Sequence, residues 1–447
     1  MLIKNTKVLL LLSLLLGNVY FAKAQDTLRL SLQDAVAKAM QNNIAILNSE
    51  IDLEIAQKKI WETTASGLPH LDLKTAYTFY PKVPSLPATF FDPAADPNAV
   101  VELGVKQNVV ADLTLSQLIF NGAYFVGLQA SKAYYKLSEQ NNEKTRLEVI
   151  ESVVNTYHML QLAEESSVIL AQNLENITKT KSEIEEMFKQ GFVEKTDVDQ
   201  LQVAANTIRN ALNEIESNLQ TGYNLLKIQL GLADVSILDL KDPLESDDAL
   251  TQTSIQLVSA SFNLENNVDY QLIKSAEKMA QLDLKLSQSS FLPSINGYYN
   301  HTEKLKAPLF DFAPKDIVGV NLSLPIFSSG QRLATLAQKR MNLKKSQNNQ
   351  KFVSESILLQ ANQYQNDVKL KLEKYLNMKV SKELSEEIYS RTLEKYKQGM
   401  ASSMDLMNSH NQFLTSLTNY YQSIYNLQGA KSKLEKLFNL PSENPNQ

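Results

Sequence analysis

The stretch Phe188-Lys189-Gln190-Gly191, followed by Thr196-Asp197-Val198, returns as Tyr396-Lys397-Gln398-Gly399, followed by Met404-Asp405-Leu406, at an offset of 208 residues (188 to 396). The same offset links Leu230-Gly231-Leu232 to Phe438-Asn439-Leu440. Nearer the N-terminus, Asn42-Asn43-Ile44 matches Asn266-Asn267-Val268 and Leu68-Pro69 matches Leu292-Pro293, both at an offset of 224 (42 to 266, 68 to 292). The change of offset has a visible source: the proline- and aspartate-rich segment from Pro81 to Pro97 has a shorter counterpart around Lys304 to Pro314. A tandem duplication with one longer loop accounts for every match.

Each copy repeats one order of parts. A helix over about 32–66, and again over 263–290, ends near Gly67 and Pro69 in the first copy and Pro293 in the second, as helix-terminating residues require. Two segments of alternating polarity follow. Leu71, Leu73, Tyr77 and Phe79 share one face, with Asp72, Lys74 and Thr78 on the other. Leu113, Leu115 and Ile119 alternate with Asp112, Thr114 and Ser116 in the partner segment. The second copy shows Val318, Val320, Leu322 and Leu324 against Gly319, Asn321 and Ser323, with the less regular Ile295 to His301 before it. Strands are therefore expected at about 71–80, 109–120, 294–302 and 316–327. Alternation over about ten residues suits a tilted strand of a membrane barrel, and equally a half-buried sheet in a soluble protein. Four strands cannot close a membrane barrel, whose smallest members have about eight. If these strands span a membrane, several chains must share one barrel.

After the strands come runs almost free of helix breakers, 123–190 and 331–398, in which only Gly127 interrupts and proline is absent. Apolar residues recur there at spacings of three and four, as in Leu147, Ile150, Val154 and Tyr157, or Ala361, Val368, Leu372 and Tyr375. That period favours coiled-coil packing, and helices of this length extend about 100 Å. The shorter helices near 32–66 and 196–230, and near 263–290 and 402–438, each sum to roughly one long helix. Stacked end to end, they would lie beside the long ones. Faces rich in Gln, Asn, Ser, Lys and Glu can line water.

The N-terminus reads as a secretory signal over 1–24: Lys4 and Lys7 precede the apolar run Val8 to Leu16, and Ala22-Lys23-Ala24 matches a small-x-small cleavage site before Gln25. The apolar run is far short of the roughly 20 residues of a spanning helix. With no cysteine in 447 residues, disulfides, thiol catalysis and a lipid-bearing cysteine are excluded. The net charge of −5 offers no basic surface for nucleic acid. The chain thus divides into the signal, a first copy over 25–232, a linker over 233–261, a second copy over 262–440 and a tail over 441–447. The fold class is mainly α with a small β part.

The pattern resembles the TolC-like outer-membrane factor family over essentially the whole mature chain. The duplication carries the resemblance, together with the Leu-Pro entries, Gln117-Leu118-Ile119-Phe120-Asn121-Gly122, Leu324-Pro325-Ile326-Phe327-Ser328-Ser329-Gly330-Gln331-Arg332 and the paired turns Gly191 to Asp197 and Gly399 to Asp405. It implies a homotrimer whose twelve strands form one barrel in outer-membrane lipid, with a helical tunnel reaching into the periplasm. It also implies a periplasmic adaptor protein and an inner-membrane pump or ABC exporter as partners, and no cofactor. The tip turns at Gly191 and Gly399 would form a closable aperture. By this resemblance Tyr396 and Asp197, next to Thr196, take the latch positions and Asp405 an acidic-ring position. The family's latch arginine falls at Ala401 and its second ring aspartate at Asn408, which implies weaker cation block than in two-ring members.

The same residues have a purely local reading. Thr196, Asp197, Ser402, Ser403 and Asp405 stand where return helices begin, where such side chains cap, and glycine at 191 and 399 suits helix ends. Nothing points to catalysis. His70, His158, His301 and His410 are dispersed without a second ligand at metal spacing, and no nucleophile elbow, phosphate loop or His-Glu-x-x-His occurs. The aromatics Phe90, Phe91, Tyr298 and Tyr299 near strand ends suit an interfacial girdle. A structural coiled-coil envelope protein is the alternative to a channel.

Overall fold

The computed structural model describes residues 27–232, 237–244, 246–306 and 311–440. The expected signal peptide and the tail after residue 440 lie outside them. The chain divides into two compact units.

One unit draws on 49–144 and 264–358 and holds a four-stranded sheet. Its strands are β2 (His70–Phe79), β5 (Gln107–Asn121), β7 (Ser294–Lys304) and β8 (Asp316–Ser323), antiparallel in the order β2-β5-β7-β8. Two strands from each copy thus make one sheet. The register lines up like with like. Leu71, Leu115, Tyr299 and Val318 form one row across all four strands, whereas Lys74, Asp112 and Thr302 form a polar row. Within the polar rows Thr302 donates to Asp112 (2.5 Å) and Asn300 to Thr114 (2.8 Å). The register shifts between Leu118 and Phe120, a bulge that bends β5. Between β2 and β5 the longer loop folds back as the short antiparallel pair β3 (Ser85–Pro87) and β4 (Val100–Glu102).

The fourth strand corrects the sequence expectation. It stops at Ser323 instead of running to 327, because Pro325 cannot donate to a ladder and Ser329 and Gly330 then take left-handed backbone (φ 48° and 80°).

The expected helix over 32–66 is two helices, α1 (Leu32–Asn42) and α2 (Ile44–Ala65). Asn43 makes the break. Its backbone is extended, its Oδ1 accepts from the Ala45 amide (2.9 Å), and its Nδ2 donates to the Gln229 carbonyl (2.7 Å). Its repeat-mate Asn267 caps the corresponding helix of the second copy, accepting from the Tyr270 amide (3.0 Å). The duplicated Asn-Asn pair is thus a duplicated helix start.

The remaining helices are α3 (Gly122–Lys189, 68 residues), α4 (Lys195–Gln229), α5 (Asp247–Ser259), α6 (Val268–Ser289), α7 (Gln331–Lys397, 67 residues) and α8 (Ser403–Phe438). Among the described residues no helix is long and apolar enough to cross a membrane.

The second unit draws on 27–48, 145–263 and 359–440. The linker that sequence alone left without structure supplies β6 (Ile237–Leu240), which pairs in parallel with β1 (Thr27–Leu30). Arg29 and Asp239, opposite one another, form an ion pair (2.7 Å). Leu30, Ala35, Ile46, Val153, Leu160 and Leu230 build a core around this pair. At its centre Tyr157, fully buried, donates to the Leu30 carbonyl (3.0 Å). Gly231 sits where only glycine fits: its φ is +64° and an added Cβ would lie 2.4 Å from the Asn42 carbonyl oxygen. Asp247 fixes the start of α5, accepting hydrogen bonds from Tyr375 and Tyr420 and pairing with Lys379 (2.9 Å).

Candidate functional site

Two equivalent tips close the second unit's helix pairs, α3 to α4 and α7 to α8. Each long helix ends in the same way. Gly191 (φ 84°) and Gly399 (φ 72°) take the left-handed conformation that ends a helix. The next amide reaches back five residues, Phe192 to the Met187 carbonyl (3.0 Å) and Met400 to the Lys395 carbonyl (2.8 Å).

Each return helix begins with a capping box. Asp197 accepts from the Glu194 amide (3.0 Å), and Thr196 donates to the Glu194 carboxylate (3.1 Å). Asp405 accepts from the Ser402 amide (3.1 Å) and hydroxyl (2.7 Å), while its own amide donates to Ser402 Oγ (3.1 Å). These Ser402 bonds hold the Asp405 carboxyl below the usual carboxylate range. The capping roles open to Asp197 and Asp405 from sequence are both occupied.

Tyr396 lies one turn before Gly399 and is 7 % exposed. It packs in an apolar cluster with Ile184, Leu201, Ala205, Leu406 and Phe413. Its hydroxyl is buried without a hydrogen-bond partner. Burial, and then the charge of Asp197, push the phenol up to about 12. Tyr396 and Asp197 are therefore neighbours without a hydrogen bond between them. Ala401 packs against the same cluster, whereas Asn408 is exposed one turn beyond Asp405.

Two features of the tip were not read from the sequence. Lys397 pairs with Glu183 (3.1 Å), tying the end of α7 to α3. His410 is 1 % exposed, with both ring nitrogens unpartnered. Its ring lies 5.1 Å from that of Tyr389, which stacks on Phe413. Burial drives the imidazole down to about 4. The signal was present: Leu406, His410, Phe413 and Leu417 fall on one helical stripe at spacings of four, three and four. Among the described residues no group of His, Asp or Glu is arranged to hold a metal.

The β-sheet completes the picture. β2 and β8 each pair on one side only, and their apolar residues are open: Leu71 is 65 % exposed and Val318 80 %.

The family model described as outer membrane efflux protein matches residues 35–232 and 261–440, once over each copy, and the chain belongs to that family. It is thus an outer-membrane efflux channel protein with a periplasmic helical tunnel. No curated protein sequence matches it. The fold is shared with solved outer-membrane channels. The outer membrane protein VceC of Vibrio cholerae is 16 % identical, with 92 % of this chain and 97 % of that one covered at a TM-score of 0.73. The CmeC outer membrane channel of Campylobacter jejuni is 21 % identical, with 92 % and 87 % covered at 0.72. The MtrE outer membrane channel of Neisseria gonorrhoeae, in its open state, is 15 % identical, with 92 % and 89 % covered at 0.69.

Proposed function

We propose that three copies of the chain pool their four-stranded sheets into one twelve-stranded barrel and form a conduit for efflux or type I secretion. A periplasmic adaptor protein and an inner-membrane pump or ABC exporter dock on it and supply the energy. The observation that supports this reading most is the sheet with two unpaired edges. An exposed apolar edge strand invites pairing with another chain, and full closure alone removes every edge. Four strands per chain are too few for closure within one chain. The exposed apolar rows of β2 and β8 then face lipid, and the polar rows through Asp112 and Thr302 face the lumen.

In this reading the tips around Gly191 and Gly399 are the closable periplasmic end. Tyr396 and Asp197, beside Thr196, latch it, and Asp405 contributes a ring of carboxylates, with Asn408 in place of a second. The two copies divide the work along their length: strands anchor, long helices wall the passage, and capped tips narrow it.

The test is reconstitution of purified protein into planar bilayers. Discrete conductance steps, together with slower electrophoretic migration after boiling as the barrel unfolds, are the expected result. A protein that remains in solution without detergent and adds no conductance would be a structural envelope protein instead.

A further inference from the structure

Two helices adjoin the open edges of the four-stranded sheet: α2 leads into β2, and α7 follows β8. Their counterparts in the duplication, α6 and α3, adjoin the two inner strands and meet within the chain. Lys144 of α3 pairs there with Asp269 of α6 (2.7 Å), and Ala130 and Tyr134 of α3 line one cavity with Met279 of α6. The offset of 208 carries α3 onto α7, and the offset of 224 carries α2 onto α6. Joining β8 to β2 of the next chain therefore sets α7 beside that chain's α2, as α3 stands beside α6.

The outer seam carries its charges at a different level from the inner one. Lys144 and Asp269 have the uncharged counterparts Phe352 and Ala45 (144 to 352, 269 to 45). Three residues from the Tyr134–Met279 level on each helix stand Leu137 and Ala276, whose counterparts are Lys345 and Asp52 (137 to 345, 276 to 52). The charged level has thus moved along the seam by about two helical turns, roughly 10 Å. The surroundings have matching signs. From Gln331 to Ser354 α7 has six basic residues and no acidic one, and α2 places Glu50, Asp52 and Glu54 within five residues. Lys344, Lys345, Asp52 and Glu54 are exposed, and none of them has an ion pair among the described residues.

We propose that Lys345 of each chain pairs with Asp52 of the next, and that this pair fixes which helices meet between chains and in what register. The pairing rests on the joining of β8 to β2 proposed above. Setting α3 against a neighbour's α2 instead would put Lys144 opposite Ala45 and Asp52 opposite Leu137. Both charges would then lose their partners, and such a mismatch rejects a wrong neighbour as effectively as a good contact selects the right one.

The test is cross-linking between chains. Full-length chains carrying Lys345→Cys are produced together with chains carrying Asp52→Cys, and the membranes are treated with a short bismaleimide. The native sequence has no cysteine, so only these positions react. A covalent product of two chains is expected. Glu62→Cys in place of Asp52→Cys, ten residues or about 15 Å along α2, should give little product. In a second measurement Asp52→Lys should raise the fraction of single chains in detergent about twofold to fivefold, the size expected of an exposed ion pair. Adding Lys345→Glu to the same chain should restore the assembly. Both positions are exposed, so neither change disturbs the core. Native mass spectrometry of the unaltered protein separates this pairing from the barrel itself. Three-chain species without a Lys345–Asp52 product, equal product at Glu62, or no rescue in the double variant would overturn the pairing and leave the barrel standing. Absence of any multichain species would overturn both.

Discussion

The Tyr396 hydroxyl is buried beside Asp197 without a hydrogen bond, while the Asp197 carboxylate accepts from the Glu194 amide. Within one chain, the latch proposed for this pair rests on ring packing and capping. Tyr396→Phe removes an unsatisfied polar atom and should change local stability by less than about 0.5 kcal/mol. Tyr396→Ala empties part of the apolar cluster and should cost about 3–5 kcal/mol, and it should raise single-channel conductance where Tyr396→Phe does not. Amide hydrogen exchange over 184–208 measures the first effect. An open channel from Tyr396→Phe would restore the hydrogen-bond latch.

His410 makes the tip acid-sensitive. Its folded pKa is lowered from 6.5 to about 4, so the folded chain binds fewer protons than the unfolded one between these values. The contribution is intact above about pH 6.5 and is lost progressively as pH falls towards 4, by about 3 kcal/mol at most. Unfolding of the wild type should show this slope. His410→Leu should flatten it, and a slope unchanged in that variant would assign it to other groups.

Asp405 carries a cap and a charge, and the two separate. Asp405→Asn keeps an acceptor for Ser402 and removes the charge. Tip stability should stay within about 0.5 kcal/mol, while divalent-cation block of the reconstituted channel falls. Persistence of full block in Asp405→Asn would remove Asp405 from the constriction.

The duplication, the four strands and the two long helices were legible because each leaves a periodic or repeated mark. Gly191 with Asp197, and Gly399 with Asp405, announced the tips for the same reason. What escaped was short or non-local. The β1–β6 pair consists of four-residue strands whose partners stand 210 residues apart (27 to 237), and no alternation that short is distinctive. The break at Asn43 lay within a continuous helical pattern and depends on the distant Gln229 carbonyl. His410 was legible only as one member of an apolar stripe.

The glycines separate local strain from close approach. Gly231→Ala meets both a positive φ and the Asn42 carbonyl, and should cost roughly 2–4 kcal/mol. Gly191→Ala has the same sign of φ but open space around it, and should cost about 1 kcal/mol. Thermal unfolding of the two variants side by side measures the difference. Equal shifts would mean that the contact with Asn42 relaxes freely.

The open sheet edges make the number of chains per channel the most direct test. Native mass spectrometry of the protein released from detergent micelles should give a single species of three chains, the number that joins β8 of each copy to β2 of the next in a twelve-stranded barrel. A conducting species of one or two chains would contradict it.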